Sequence, residues 1–135
     1  MLPVMMLIST GVSAQNTITM ENLKAEIIGS EKAPVVVLFG GSPYRRDEVV
    51  RDLAQIGDIT IYGTLGEEEG FAKIEELHRK VDLVLIGGRY TDEQRKRISA
   101  YVKAELPNAK LTQPGVDYPY EVVTIRENVK RLVGL

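Results

Sequence analysis

Arginine, tyrosine and glycine gather in four short stretches of this 135-residue chain. They are Gly40-Gly41-Ser42-Pro43-Tyr44-Arg45-Arg46, Gly63-Thr64-Leu65-Gly66, Gly87-Gly88-Arg89-Tyr90-Thr91 and Gln113-Pro114-Gly115-Val116-Asp117-Tyr118-Pro119-Tyr120. The chemistry such residues offer is recognition of an anion. Arginine pairs with phosphate or carboxylate through two parallel N–H donors, and glycine lets a ligand approach the backbone N–H groups at a helix start. Ser42 and Thr91 add hydroxyl donors, and tyrosine rings stack on a base or sugar. The plainer reading of the same residues is structural. Turns take glycine for its dihedral freedom, Ser42 and Thr91 cap helices, and the arginines pair with Asp47, Glu48 and Asp117. Neither a P-loop nor a G-x-G-x-x-G pattern is present.

Other chemistries are poorly supplied. The chain has no cysteine, which excludes disulfides, thiolate nucleophiles, zinc–thiolate sites and iron–sulfur clusters. His78 is the only histidine, so no multi-histidine metal site can form. It reads as a helix-end residue, favourably near the negative end of the helix dipole. No nucleophile–base pair is visible, so no catalytic residue, metal site or cofactor is assigned and the reading leans away from an enzyme. An enzyme using Asp117 or a tyrosine ranks last. Arg95-Lys96-Arg97 reads as a solvated helix face, because no aromatic residues interleave it as in a nucleic-acid surface. Glu67, Glu68 and Glu69 read as helix-start electrostatics. Tyr118-Pro119-Tyr120 reads as an exposed aromatic loop, and with Asp117 it is the stretch assigned to a protein partner.

The elements that must hold these stretches follow from apolar patterning. Val35 to Phe39 is a continuous apolar run stopped by glycine, as in a strand buried on both faces. Ser42-Pro43 opens a helix with an apolar stripe at Val49, Val50, Leu53 and Ile56, ended by Gly57. Asp58–Tyr62 is a second strand and Glu67–His78 a second helix. Val81–Ile86 is the third strand. Thr91-Asp92-Glu93-Gln94 is a capping box for a third helix, which ends at Pro107. Leu111–Gln113 is a short fourth strand. The tail suggests a fifth strand over Tyr120–Val123 and a helix from about Thr124. Strand–helix alternation with short turns implies an α/β fold: a single three-layer open parallel sheet of four to five strands, with helices on both faces. In such sheets ligands bind beyond the carboxyl ends of the strands, which is where the four stretches lie.

Residues 1–20 carry no charged side chain. They read as a leader cleaved near Ala14, as sequence upstream of a start at Met20 or as a packed extra strand, with 21–135 as one domain. The apolar stretch is too short to span a membrane. A net charge of −2 provides no basic field for nucleic acid or anionic lipid.

From Val35 to Gln113 the order of elements resembles the receiver domains of two-component response regulators, which are flavodoxin-like. Ile59-Thr60-Ile61-Tyr62-Gly63-Thr64, an acidic helix and Val81-Asp82-Leu83-Val84-Leu85-Ile86 are similar to a receiver's second strand, second helix and third strand. Gly115-Val116-Asp117-Tyr118 is similar to the stretch leading into that family's last strand. The resemblance implies a fold without the family's chemistry. Gly40, Gly41 and Ser42 stand where receivers keep magnesium-binding acids, and Gly87 stands at the phosphoacceptor aspartate. No lysine precedes Tyr118-Pro119, and the tail is shorter than a receiver's. Magnesium needs carboxylate oxygens, and transfer to protein needs a nucleophile. The expectation is a degenerate, cytoplasmic, receiver-like module that works by protein contact. The alternative is a domain that binds a small anionic ligand through Gly40, Gly41, Ser42, Tyr44, Arg45, Arg46, Gly87, Gly88, Arg89 and Tyr90. A cleaved leader would instead mean export.

Overall fold

The computed structural model describes residues 25–135, so the leader reading of residues 1–20 lies outside the described residues. Five strands form one sheet: β1 (Glu26–Ile27), β2 (Val35–Gly40), β3 (Thr60–Leu65), β4 (Leu83–Ile86) and β5 (Lys110–Thr112). Their order across the sheet is β1-β3-β2-β4-β5. β2 lies in the middle, with Val36 opposite Ile61 of β3 on one side and Leu83 of β4 on the other. Its apolar run is continuous because both of its faces are covered, and Val36 to Phe39 are all buried.

Four α-helices cover the two faces: α1 (Pro43–Leu53), α2 (Gly66–Glu76), α3 (Asp92–Glu105) and α4 (Val122–Val133). Alternation along the strands sorts the core into two halves. Val36, Leu38, Ile61, Leu83 and Leu85 pack with Val49, Val50 and Leu53 of α1 and Ile125 and Val129 of α4. Val37, Phe39, Val84 and Ile86 pack with Ile74 of α2 and Ile98 and Val102 of α3. Phe39 meets Phe71 edge to face, with centroids 5.6 Å apart. α2 comes down onto Phe39 at Gly70, where a Cβ would stand 2.1 Å from the ring.

The helix boundaries have local causes. Ser42 caps α1 and Pro43 occupies its first turn. The Thr91–Gln94 capping box forms in full, with the Thr91 hydroxyl accepting from Gln94 N–H and Gln94 Oε1 from Thr91 N–H. α4 ends on Gly134 in the left-handed region, at φ 79°.

Several expectations need correction. The sheet is not wholly parallel: β1 pairs antiparallel with β3, Glu26 opposite Tyr62. No fifth strand forms over Tyr120–Val123; that stretch is loop and the first turn of α4, and Pro114 and Tyr118 make only an isolated bridge. The second strand continues through Gly63 to Leu65, and the second helix stops at Glu76 rather than His78. His78 and Arg79 follow it with φ of 55° and 62°, a left-handed turn after the helix. Arg95 is not on a solvated face. It is buried, because it stands three residues before Ile98 on the side of α3 that faces the sheet.

Candidate functional site

The strand order reverses between β2 and β4. From β2 the chain passes through α1 on one face of the sheet; from β4 it passes through α3 on the other. The loops leaving the two strands therefore diverge, and a crevice opens between them. It is a cleft of about 320 Å³, near the lower end of the ~300–1,000 Å³ usual for small-molecule sites.

Gly40, Gly41, Ser42, Arg45 and Arg46 line the cleft from the loop after β2 and the start of α1. Gly87, Gly88 and Arg89 line it from the loop after β4. Gly115 and Tyr120 come from the long loop after β5, and Leu38 and Val49 add apolar surface. Among the described residues no carboxylate lines it. The walls are held by polar ties. Gly87 N–H donates to the Phe39 carbonyl at 2.8 Å, locking the base of the β4 loop to β2. The guanidinium of Arg95 donates to the Gly87 carbonyl at 2.8 Å and to Gln113 Oε1 at 3.1 Å, joining the β4 loop to the β5 loop.

The glycines are there for close approach. Gly40, Gly41, Gly87 and Gly88 are absent from the positive-φ region, so turn dihedrals do not demand them. A Cβ on Gly41 would stand 2.5 Å from the Arg89 Cβ, and one on Gly88 would stand 3.2 Å from the Tyr120 ring. Gly41 thus gives Arg89 its bed, and Gly88 gives Tyr120 its seat.

The three cations of the cleft differ. Arg45 is exposed and bonded to Glu48 at 2.9 Å, and that hydrogen bond raises its pKa. Its guanidinium carbon lies 5.7 Å from the Tyr120 ring centroid. Arg46 is buried and passes over Gly40 and Gly63. Arg89 is exposed, and among the described residues it is the one arginine with neither a hydrogen bond nor an ion pair. Ser42 sits at the N-terminus of α1, where its hydroxyl accepts from Arg45 N–H over a long 3.5 Å.

Two residues expected with this group lie elsewhere. Tyr44 is exposed and turned to a shallow groove along α1 and the start of α4, beside Arg51, Gln55 and Val122. Tyr90 is a tie: its hydroxyl donates to the Gly40 carbonyl at 2.9 Å and accepts from Gly66 N–H at 3.1 Å. Burial raises its pKa.

The aromatic loop is not exposed as expected. Tyr118 and Tyr120 are half-buried against the core beneath α1 and α4. The Tyr118 hydroxyl shares a 2.6 Å hydrogen bond with Thr112. Asp117 accepts from Gln113 N–H at 3.0 Å, closing its own turn. Burial pushes the Tyr120 phenol pKa up, partly offset by Arg45, so the ring is neutral at ordinary pH. Tyr120 therefore belongs with the cleft, where sequence reading had set it apart.

Among the described residues, no group of three or more acidic or histidine side chains could hold a metal, and no helix is long and apolar enough to cross a membrane. No protein-family model matches the chain, and neither a curated protein nor a solved structure matches it.

Proposed function

We propose that this chain is a binding module for a small anion bearing a phosphoryl or carboxylate group, held in the cleft between the β2 and β4 loops. The observation that carries this reading is Arg89. Every other described arginine has a partner, whereas Arg89 lies on Gly41 at the mouth of a cleft without carboxylates. An exposed guanidinium in that setting is the residue suited to a bidentate anion. The Ser42 hydroxyl, at the start of α1, adds a donor from the opposite wall. Arg45 is a second cation, and its exposed bond to Glu48 is weak enough to exchange for a ligand.

The fold reading beneath this is flavodoxin-like, shortened after the fourth parallel strand. Its support is the parallel order β3-β2-β4-β5 with helices on both faces. A degenerate receiver-like signalling module is the second reading. It is favoured by Gly87 directly after β4 and Gly40-Gly41-Ser42 after β2, the positions of a receiver's acids. The half-buried Tyr118 and Tyr120 count against the aromatic docking surface that this reading drew on. A phosphoaspartate formed with acetyl phosphate and magnesium would overturn it.

The anion reading is tested by thermal unfolding in pyrophosphate, inorganic phosphate and citrate, with Arg89→Gln beside the native chain. A ligand at 100 times its Kd stabilises the native chain by about 2.7 kcal/mol. The native chain should gain stability from at least one of these anions and Arg89→Gln should lose the gain. No gain from any of them contradicts the reading.

A further inference from the structure

We infer that the ligand is not a bare anion but a phosphate ester carrying a planar ring, of mononucleotide size, with the ring against Tyr120. This inference rests on the anion reading above and names the ligand class of the same site. Its first support is size. The cleft of about 320 Å³ matches the liquid volume of about ten waters, and an orthophosphate of five heavy atoms would leave most of it unfilled. Its second support is the division of the lining. Arg89, Arg45, Arg46 and Ser42 supply polar groups, while Leu38, Val49 and the Tyr120 ring add an apolar share. A small inorganic anion has no use for that second part.

The third support is how Tyr120 is presented. Tyr90 and Tyr118 are tied through their hydroxyls, whereas Tyr120 is seated through its ring on Gly88, with Gly115 also close beneath. On one side of the ring the Arg45 guanidinium carbon lies 5.7 Å from the centroid, looser than van der Waals contact. Arg45 is exposed and its bond to Glu48 is a surface pair, so swinging it outward is cheap. A planar ring then enters between the phenol and the guanidinium, two groups that both stack on π faces. The phosphoryl end reaches Arg89 and Ser42.

The test is calorimetric titration of the full chain with inorganic phosphate, ribose 5-phosphate, AMP and UMP. AMP or UMP should bind about tenfold or more tighter than ribose 5-phosphate, the usual gain from one base on an aromatic side chain. Tyr120→Phe should keep that ratio, and Tyr120→Leu should bring it close to one while ribose 5-phosphate binding stays. If ribose 5-phosphate binds and neither nucleotide exceeds it, the ring inference is overturned and the anion reading stands. If none of the four binds, the ring inference is overturned, and the anion reading is decided by pyrophosphate and citrate in the unfolding test above. The ratio in the native chain decides the matter even where Tyr120→Leu fails to fold.

Discussion

The two ends of the sheet use charge in opposite ways. At the amino ends of the strands two carboxylates, Asp58 and Asp82, are consumed by the fold. Asp58 accepts from both the backbone N–H and the hydroxyl of Ser30. Asp82 Oδ2 accepts from Val35 N–H at 2.8 Å, at the start of the central strand. At the carboxyl ends the arginines divide. Arg95 is buried and bonded to two loops, while Arg89, six residues earlier, is exposed and without a partner among the described residues. Charge that is fully bonded explains itself by stability. An arginine left over beside a cleft without carboxylates asks for a ligand.

That contrast can be broken at several places. The largest effect belongs to Arg95. Arg95→Met should cost about 2–3 kcal/mol in urea unfolding, since it strips a charged donor from the buried Gly87 carbonyl. It should also loosen the cleft by freeing the β5 loop. At the other end, Asp82→Ala should cost about 1 kcal/mol, the value of one backbone hydrogen bond accepted by a carboxylate at the surface. Arg89→Gln should change stability by less than about 0.5 kcal/mol yet remove anion binding. A loss of stability as large as that of Arg95→Met would place Arg89 with the structural arginines and erase the contrast.

Gly41→Ala sharpens the same point. Its Cβ would stand 2.5 Å from the Arg89 Cβ, an atom fixed to the backbone, so the β2 and β4 loops must part: stability should fall by about 1–3 kcal/mol and anion affinity with it. The smallest effect is on acid sensitivity. Hydrogen bonds from Ser30 hold the Asp58 pKa below the usual aspartate range. Its contribution is therefore full above that range and is lost as pH falls through the lowered value. Protection from hydrogen exchange at Gly29 and Ser30, taken against the intrinsic rates, should fall on acidification before that at Gly87 does, and Asp58→Asn should abolish that order.

Most of the sheet was readable from periodicity. Val35–Phe39 and, within the expected Val81–Ile86, Leu83–Ile86 are apolar runs of strand length bounded by glycine, as strands covered on both faces carry, and the Thr91 capping box marked α3 to the residue. β1 was not readable, because two residues without an apolar pattern pair only through their register with β3, far along the chain. The cleft was readable in part. Arg45, Arg46 and Arg89 could be gathered by the rule that ligands lie beyond strand ends. What separates Arg89 from Arg95 depends on partners that no run of basic residues reveals. The spacing of Arg95 to Ile98 and Val102 was the available signal that it faces inward. Tyr90 and Tyr44 were grouped with the arginines and Tyr120 set apart for the same reason: a tyrosine's role is set by what its hydroxyl and ring reach.

The central claim is that the carboxyl end of the sheet binds an anion at Arg89 and the amino end does not. Titrating pyrophosphate into the isotopically labelled chain and following backbone and guanidinium resonances tests it most directly. The account predicts saturable shifts at Gly41, Ser42, Gly88 and the Arg89 side chain, with Gly29, Ser30 and Asp82 unmoved. Shifts at the amino end, or none that saturate around Arg89, would contradict it.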